Sequence, residues 1–305
     1  VIVVVSPGQG SQTPGFLEPW LADPSNRTLV ESYSEAAGVD LVTHGTVSDA
    51  DTIRDTAVAQ PLIVAASLLA FRALTRDGDS ATRIAGVAGH SVGEIPAAVA
   101  AGILDETAAL QLVGERATAM AAAAAATPTG MSAVIGGDTA AVVDYIVDLG
   151  LEPANYNGGG QVVVAGALDA LATLTENPLR GTRVVPLQVA GAFHTHYMQS
   201  AREHLATVAS EVTTADPSMT IWTNNDGTAI DSGSRFLDLI VGQVASPVRW
   251  DLCMESFTAA GVTGIVELAP AGALVGLAKR GLKGIPSVAI KTPDDIPAAL
   301  DLINA

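Results

Sequence analysis

Residues Ile84 to Ala88 form a short apolar run that ends abruptly in Gly89-His90-Ser91-Val92-Gly93 and passes straight into the helix-favouring stretch Glu94 to Ile103. A run too short for a helix, punctuated by glycines and followed by helical periodicity, reads as strand, tight turn, helix. The G-x-S-x-G spacing at that turn fits a nucleophile elbow, in which small flanking residues permit a strained bend that lifts a serine hydroxyl above the edge of a sheet. This constrains the fold at once, because an elbow of that kind belongs to an α/β architecture with a parallel sheet. The plainer reading of the same residues is a serine capping the next helix. Pro96, early in that helix, removes a backbone donor and leaves the helix start open.

The rest of the chain fits such a body around an insert. Val1 to Val5 is a second β-branched run and leads into the turn Gly8-Gln9-Gly10. Gln60-Pro61 predicts a helix with proline at its first position, running to about Arg76. Glu106 to Ala126 predicts a helix that carries Arg116, its alanine run being packed helix rather than low complexity. From Met131 the order becomes strand (Met131 to Ile135), helix (Thr139 to Leu149), strand (Glu152 to Asn157), strand (Gln161 to Ala165), helix (Leu168 to Thr175) and strand (Arg183 to Leu187). That is a split βαββαβ unit. The expected architecture is therefore α/β: a large α/β-hydrolase-like body with a parallel sheet core, residues 1–128 and 189–305, and an inserted small ferredoxin-like βαββαβ subdomain, residues 129–188. Downstream come a hairpin from Ile221 to Ile230, a helix from Asp251 to Ala260, a strand from Gly264 to Leu268 and a short helix ending in Lys279-Arg280.

Composition narrows the function classes. The 305 residues hold 32 acidic against 15 basic groups, a formal charge of -17. Nucleic acid is disfavoured as a partner, since phosphate binding relies on Lys and Arg. The longest clean apolar stretch, Pro61 to Phe71, falls short of the roughly 20 residues that span a bilayer, so no membrane segment is expected. The first residues carry no basic leader, so export is not expected. The single cysteine, Cys253, excludes an internal disulfide and any multi-cysteine metal site, and a reducing cytoplasm is the expected compartment. Cys253 shares one helical face with Trp250, Met254 and Phe257, which is core spacing.

A serine nucleophile needs a base, and there are five histidines. His44 is expected in a polar loop, His90 points away from the elbow in a structural role, and His204 lies among charged helix residues. His194, which ends the passage Val189-Ala190-Gly191-Ala192-Phe193, returns to the body after the insert closes and is the best base. His194 and His196 also form a His-x-His pair, but no third ligand lies near and no metal is expected.

At this point the chain resembles the malonyl-CoA:acyl carrier protein transacylases of fatty acid synthesis, especially the actinobacterial members, over nearly its whole length. The resemblance rests on Pro7-Gly8-Gln9-Gly10-Ser11-Gln12, Gln60-Pro61, Gly89-His90-Ser91-Val92-Gly93-Glu94, Arg116, Asn155-Tyr156-Asn157 with Gly160-Gln161, Gly191-Ala192-Phe193-His194, and Gln243 before Pro247-Val248-Arg249-Trp250. It implies Ser91 as the nucleophile that takes the malonyl group and His194 as general base. Backbone N–H groups of Val92 and Gln9 then resemble the oxyanion hole, as expected for a helix start beside a glycine-flanked loop. Arg116 resembles the clamp on the free malonyl carboxylate, a planar fork that an acetyl group would leave unpaired; taken alone it reads as a solvated helix charge. Gln243 stands where an acid would orient His194, so Gln243 or a nearby carbonyl holds the ring. Asn155 and Asn157 resemble cleft-lining residues, with a pair of turn residues as the equal alternative.

The resemblance also implies no tightly bound cofactor: a coenzyme A thioester is the substrate, and the phosphopantetheine rides on the partner. That partner, holo-acyl carrier protein, is itself acidic, so docking needs a local basic patch, for which Lys279, Arg280, Lys283 and, more weakly, Arg249 are the candidates. A cytoplasmic monomer is expected. The rival readings are a serine hydrolase or thioesterase using the same Ser-His dyad, a patatin-like dyad drawing on Asp226-Gly227, which reads better as a hairpin turn, and a non-catalytic carrier-binding module.

Overall fold

The computed structural model describes residues 1–189 and 191–305. Ala190, in the passage leading to His194, lies outside the described residues. Among the described residues, eleven strands form two sheets: β1 (Ile2–Ser6), β2 (Ile84–Gly89), β3 (Thr129–Gly136), β4 (Glu152–Gly158), β5 (Gln161–Ala167), β6 (Thr182–Pro186), β7 (Thr220–Trp222), β8 (Ala229–Ile230), β9 (Val248–Arg249), β10 (Gly264–Glu267) and β11 (Ser287–Ala289).

The large sheet runs β11-β10-β1-β2-β7-β8. It is parallel from β11 to β7, with only the short β8 antiparallel at the edge. Every residue of β1 is buried, as a strand covered by helices on both faces requires. The register pairs Ser6 with Gly89 and Val5 with Glu267, so β1, β2 and β10 end together. That common carboxyl edge is where α/β sheets place their ligands.

The small sheet runs β6-β3-β5-β4-β9. Its first four strands have the ferredoxin-like order and are mutually antiparallel, backed by helices Thr139–Asp148 and Leu168–Glu176. A fifth strand extends the sheet beyond the expected βαββαβ unit. β9 comes from the far end of the chain and joins the edge of β4 in parallel, pairing Asn155 with Val248 and Tyr156 with Arg249.

Three local expectations are corrected. The helix expected to open at Pro61 begins at Thr56, because the Asp55 carboxylate accepts from the Ala57 N–H and caps it there; Pro61 lies inside a helix that runs to Leu74. That helix has 19 residues, long and apolar enough to cross a membrane by length and composition, which the shorter apolar run concealed. Its burial makes it the central helix of the body: Leu62, Ile63, Val64, Leu68 and Leu69 are all within the core. His44 lies not in a loop but on helix Leu41–Thr46, capped by Asp40. Pro96, by contrast, is harmless, since it falls in the first turn of helix Glu94–Ala100, where its missing N–H costs little.

Candidate active site

Ser91 follows β2 at the start of a single 3₁₀ turn, Ser91–Gly93, that leads into helix Glu94–Ala100. Its φ of 55° is in the left-handed region, which a non-glycine residue adopts only where the surroundings impose it. The two glycines of the motif make that bend possible. A Cβ on Gly89 would sit 1.9 Å from the Gly93 backbone, and one on Gly93 would sit 2.2 Å from the Ser6 carbonyl oxygen. The Asn224 side chain fixes the turn further: its Oδ1 accepts from the Ser91 N–H at 2.8 Å, and its Nδ2 donates to the Gly89 carbonyl at 2.7 Å.

His194 lies 103 positions later, and its Nε2 is 2.8 Å from Ser91 Oγ. Its φ of 62° is again left-handed, and the turn around it is held by the Thr195 hydroxyl, which donates to the Ala192 carbonyl at 2.6 Å. Nδ1 is 2.8 Å from the main-chain carbonyl oxygen of Gln243. A carbonyl only accepts, so Nδ1 carries the proton and Nε2 offers a lone pair to the serine hydroxyl. Burial, reinforced by the nearby Arg116 charge, pushes the His194 pKa down to about 3, so the ring is a neutral base.

Arg116 is not a solvated helix charge. It is only 1% exposed on helix Glu106–Ala126, and its fork is held by two neutral amide oxygens. Nη1 donates to Gln60 Oε1, and Nη2 donates to Gln243 Oε1 at 3.0 Å while lying 3.4 Å from Ser91 Oγ. Among the described residues its Nε has no hydrogen-bond partner, and no carboxylate forms a salt bridge with it. A nucleophilic serine, a neutral imidazole and a buried guanidinium thus converge on one hydroxyl. The arrangement is chemically able to support acyl transfer, with a buried positive charge next to the reacting hydroxyl.

The profile of the acyl transferase domain family matches residues 3–294. The chain belongs to that family. It is 47% identical over 302 residues to a malonyl CoA-acyl carrier protein transacylase of Mycobacterium tuberculosis, covering 99% of this chain and 100% of the relative. The fold matches a crystal structure described as MCAT from Mycobacterium tuberculosis with a TM-score of 0.94 at 46% identity, covering 99% of each chain. It also matches a malonyl-transacylase solved in complex with a type II PKS acyl-carrier protein, with a TM-score of 0.91 at 29% identity, covering 98% of this chain and 99% of that one.

In this acyl transferase the site opens into a cleft of about 380 Å³ at the junction of the two sheets. Met120, Met131, Val163, Phe193, Leu274 and Leu277 give it apolar walls, and Gln9 lines it beside Ser91. Asn155 and Asn157 also line it, and they stand on β4 rather than in a turn. His90 spans the cleft, its Nε2 2.9 Å from Asn157 Oδ1, with its ring edge-on to Trp250 at 5.7 Å. Lys279, Arg280 and Lys283 are exposed at the end of helix Ala273–Gly281, and Arg280 reaches the cleft. Arg249 pairs with Asp251 at 2.8 and 3.0 Å and lies over the Tyr156 ring at 4.6 Å. His196 faces Glu152, and His204 faces Glu115. Among the described residues no cluster of three metal-ligating side chains occurs.

Gln243 acts on His194 through its main chain, while its amide serves Arg116. Two acids with site contacts escaped the sequence reading. Glu94 is 1% exposed; Oε1 accepts from the Asn224 N–H at 2.6 Å, and Oε2 accepts from Gln243 Nε2. Burial pushes its pKa up to about 8, against the pull of the Asn224 N–H, the Thr223 hydroxyl and the Arg116 charge. Glu267 ends β10 and accepts the N–H groups of Gly272, Leu274 and Val275 at 2.9 to 3.0 Å, anchoring the helix that walls the cleft. Glu94 closes the motif Gly89-His90-Ser91-Val92-Gly93-Glu94 with no role assigned to it there, and Glu267 is legible only as an acid ending an apolar run.

Proposed function

We propose that this chain transfers the malonyl group from malonyl-CoA to the phosphopantetheine thiol of holo-acyl carrier protein, supplying extender units for fatty acid or polyketide synthesis. The observation that carries this reading is the meeting of His194 Nε2 at 2.8 Å and Arg116 Nη2 at 3.4 Å on the hydroxyl of Ser91. The base equips the serine for acyl transfer, and the buried guanidinium selects an acyl group with its own carboxylate. The names of its relatives point the same way.

Ser91 Oγ attacks the thioester carbonyl as its proton passes to His194 Nε2. The imidazolium that forms keeps its Nδ1–H on the Gln243 carbonyl, and the N–H groups of Val92 and Gln9 receive the oxyanion. The C–S bond breaks, coenzyme A leaves as a thiol with the proton from His194, and a malonyl ester remains on Ser91 while Arg116 holds its free carboxylate. The carrier's thiol then attacks the ester, giving up its proton to His194, and Ser91 departs with that proton. A neutral carbonyl stabilises imidazolium less than an aspartate would, and a thioester, whose leaving group is a good one, tolerates this. Coenzyme A and phosphopantetheine enter with the two substrates. Lys279, Arg280 and Lys283 form the docking face for the acidic carrier. The same reading places the enzyme in the cytoplasm as a monomer, with residues 1–128 and 189–305 as one unit and 129–188 as the other.

Intact-protein mass spectrometry after rapid mixing with malonyl-CoA tests it. The expected result is a malonyl adduct on the wild type, none on Ser91→Ala, and discharge to holo-carrier protein faster than to water. Discharge to water alone would make the chain a hydrolase instead.

A further inference from the structure

Buried arginines ordinarily meet a carboxylate directly, because an uncompensated charge in a desolvated site is expensive. Arg116 does not. The carboxyl group of Glu94, which compensates that charge when ionised, stands one residue removed, with the Gln243 amide between them: Glu94 Oε2 accepts from Gln243 Nε2, and Gln243 Oε1 accepts from Arg116 Nη2 at 3.0 Å. The polarity of this relay follows from chemistry. An ionised carboxylate only accepts, so it turns the NH₂ end of the amide toward itself and the oxygen toward the guanidinium. Gln243 Nε2 also donates to Asn224 Oδ1 at 3.0 Å, and the Asn224 N–H donates to Glu94 at 2.6 Å, so the donors and acceptors interlock without conflict.

We propose that Glu94 is a positioning residue for the anion clamp: its carboxylate fixes the Gln243 amide with the oxygen on Arg116, which compensates the buried guanidinium while leaving its Ser91 side unblocked for a substrate carboxylate. A direct Glu94–Arg116 pair would fill the fork that the substrate needs. A neutral residue at position 94 leaves Asn224 Oδ1 to hold the NH₂ end, so the amide turns over more readily, sets its NH₂ against the guanidinium and weakens the seat. The proposal rests on the reading of Arg116 as the seat of the malonyl carboxylate.

The clamp then responds to pH in a defined direction, with malonyl preference rising as Glu94 loses its proton near 8. The other titratable groups facing this network do not change state between pH 7 and 9. Arg116 stays charged up to about 10, His194 is neutral down to about 3, and burial keeps the Cys253 thiol, beside Asn224, protonated.

The test is rapid-quench acylation of Ser91 by malonyl-CoA and by acetyl-CoA at pH 7 and pH 9, in the wild type and in Glu94→Gln, Glu94→Asp and Gln243→Met. In Glu94→Gln the malonyl-to-acetyl ratio of kcat/KM is expected to fall about ten-fold at pH 9, chiefly through KM for malonyl-CoA, and its rise between pH 7 and 9 is expected to vanish. Glu94→Asp is expected to restore part of both. Gln243→Met, which keeps the main-chain carbonyl on His194, is expected to lose the ratio without Glu94 being touched, and it carries the test if Glu94→Gln fails to fold. Equal losses for the two acyl groups, or a ratio that stays at the wild-type value, would overturn the proposal. Arg116→Met separates the two levels: if it keeps the malonyl preference, the reading of Arg116 falls and takes this inference with it, whereas loss in Arg116→Met without loss in the Glu94 and Gln243 variants refutes the relay alone.

Discussion

The two sheets bury different things. Behind the carboxyl edge of the large sheet lie an arginine, a glutamate, a histidine and a glutamine, all within the interior and tied together by hydrogen bonds. The small sheet and its two helices enclose Val134, Val142, Ile146, Leu151, Val162, Val164, Leu171 and Leu174, with no charge among them. Toward the cleft the small unit offers neutral amides, Asn155 and Asn157. Buried ionisable groups are concentrated on one side of the cleft and neutral, packed groups on the other. Reactive groups need desolvation and fixed dipoles, which a buried polar network supplies at a cost in stability; a lining surface needs only a well-packed support.

The sharpest test of that division is His194→Ala, which removes the base and leaves the cleft wall intact. Rapid-quench acylation is expected to slow by about a thousand-fold or more, with circular dichroism unchanged. On the other side, Ile146→Ala empties part of the small core, where Ile146 is fully buried. It is expected to cost about 2 to 5 kcal/mol by denaturant midpoint, while acylation per folded molecule stays within about two-fold of the wild type. A large loss of rate in the folded variant would mean that the small unit takes part in the chemistry and would dissolve the contrast. The smallest expected effect is with acid. An ordinary histidine, near 6.5, would be about nine-tenths protonated at pH 5.5 and its acylation rate would fall in proportion. Burial and the Arg116 charge favour the neutral ring, and His90 adds to them, so the base form persists until about pH 3. The acylation rate is therefore expected to change less than about two-fold between pH 6.5 and 5. A ten-fold fall over that range would show that His194 is far more hydrated than its packing indicates.

The contrast also explains what could be read from the residues alone. The elbow at Ser91 was legible because a tight turn restricts residue type: Gly89 and Gly93 have no room for a Cβ. The βαββαβ order was legible because its helices are amphipathic, its central strands are largely apolar runs, and all are contiguous in sequence. The polar network was only half legible. Arg116, Gln243 and Glu94 all stood in ordered motifs, but nothing local gave Glu94 a role, and Asn224 sits in what reads as, and is, a hairpin turn. Glu94 meets Asn224 and Gln243 across 130 and 149 positions, so no local pattern announces those contacts. Gln243 shows a further limit: its contact with His194 uses a main-chain oxygen, which every residue type possesses. The helix from Thr56 was misplaced because proline drew the boundary, although Asp55 was the stronger stop.

The two-residue strand β9 has a consequence for transplanting parts of this enzyme. Val248 and Arg249 finish the small sheet at β4, the strand that carries Asn155 and Asn157, yet they lie just after Gln243, whose carbonyl orients the base. A segment excised at 129 and 188 would leave behind the neighbour that covers its functional edge, and a chimaera exchanging that segment would set a foreign strand against the native residues 248 and 249. Swaps intended to alter the acyl preference have to carry both pieces across together.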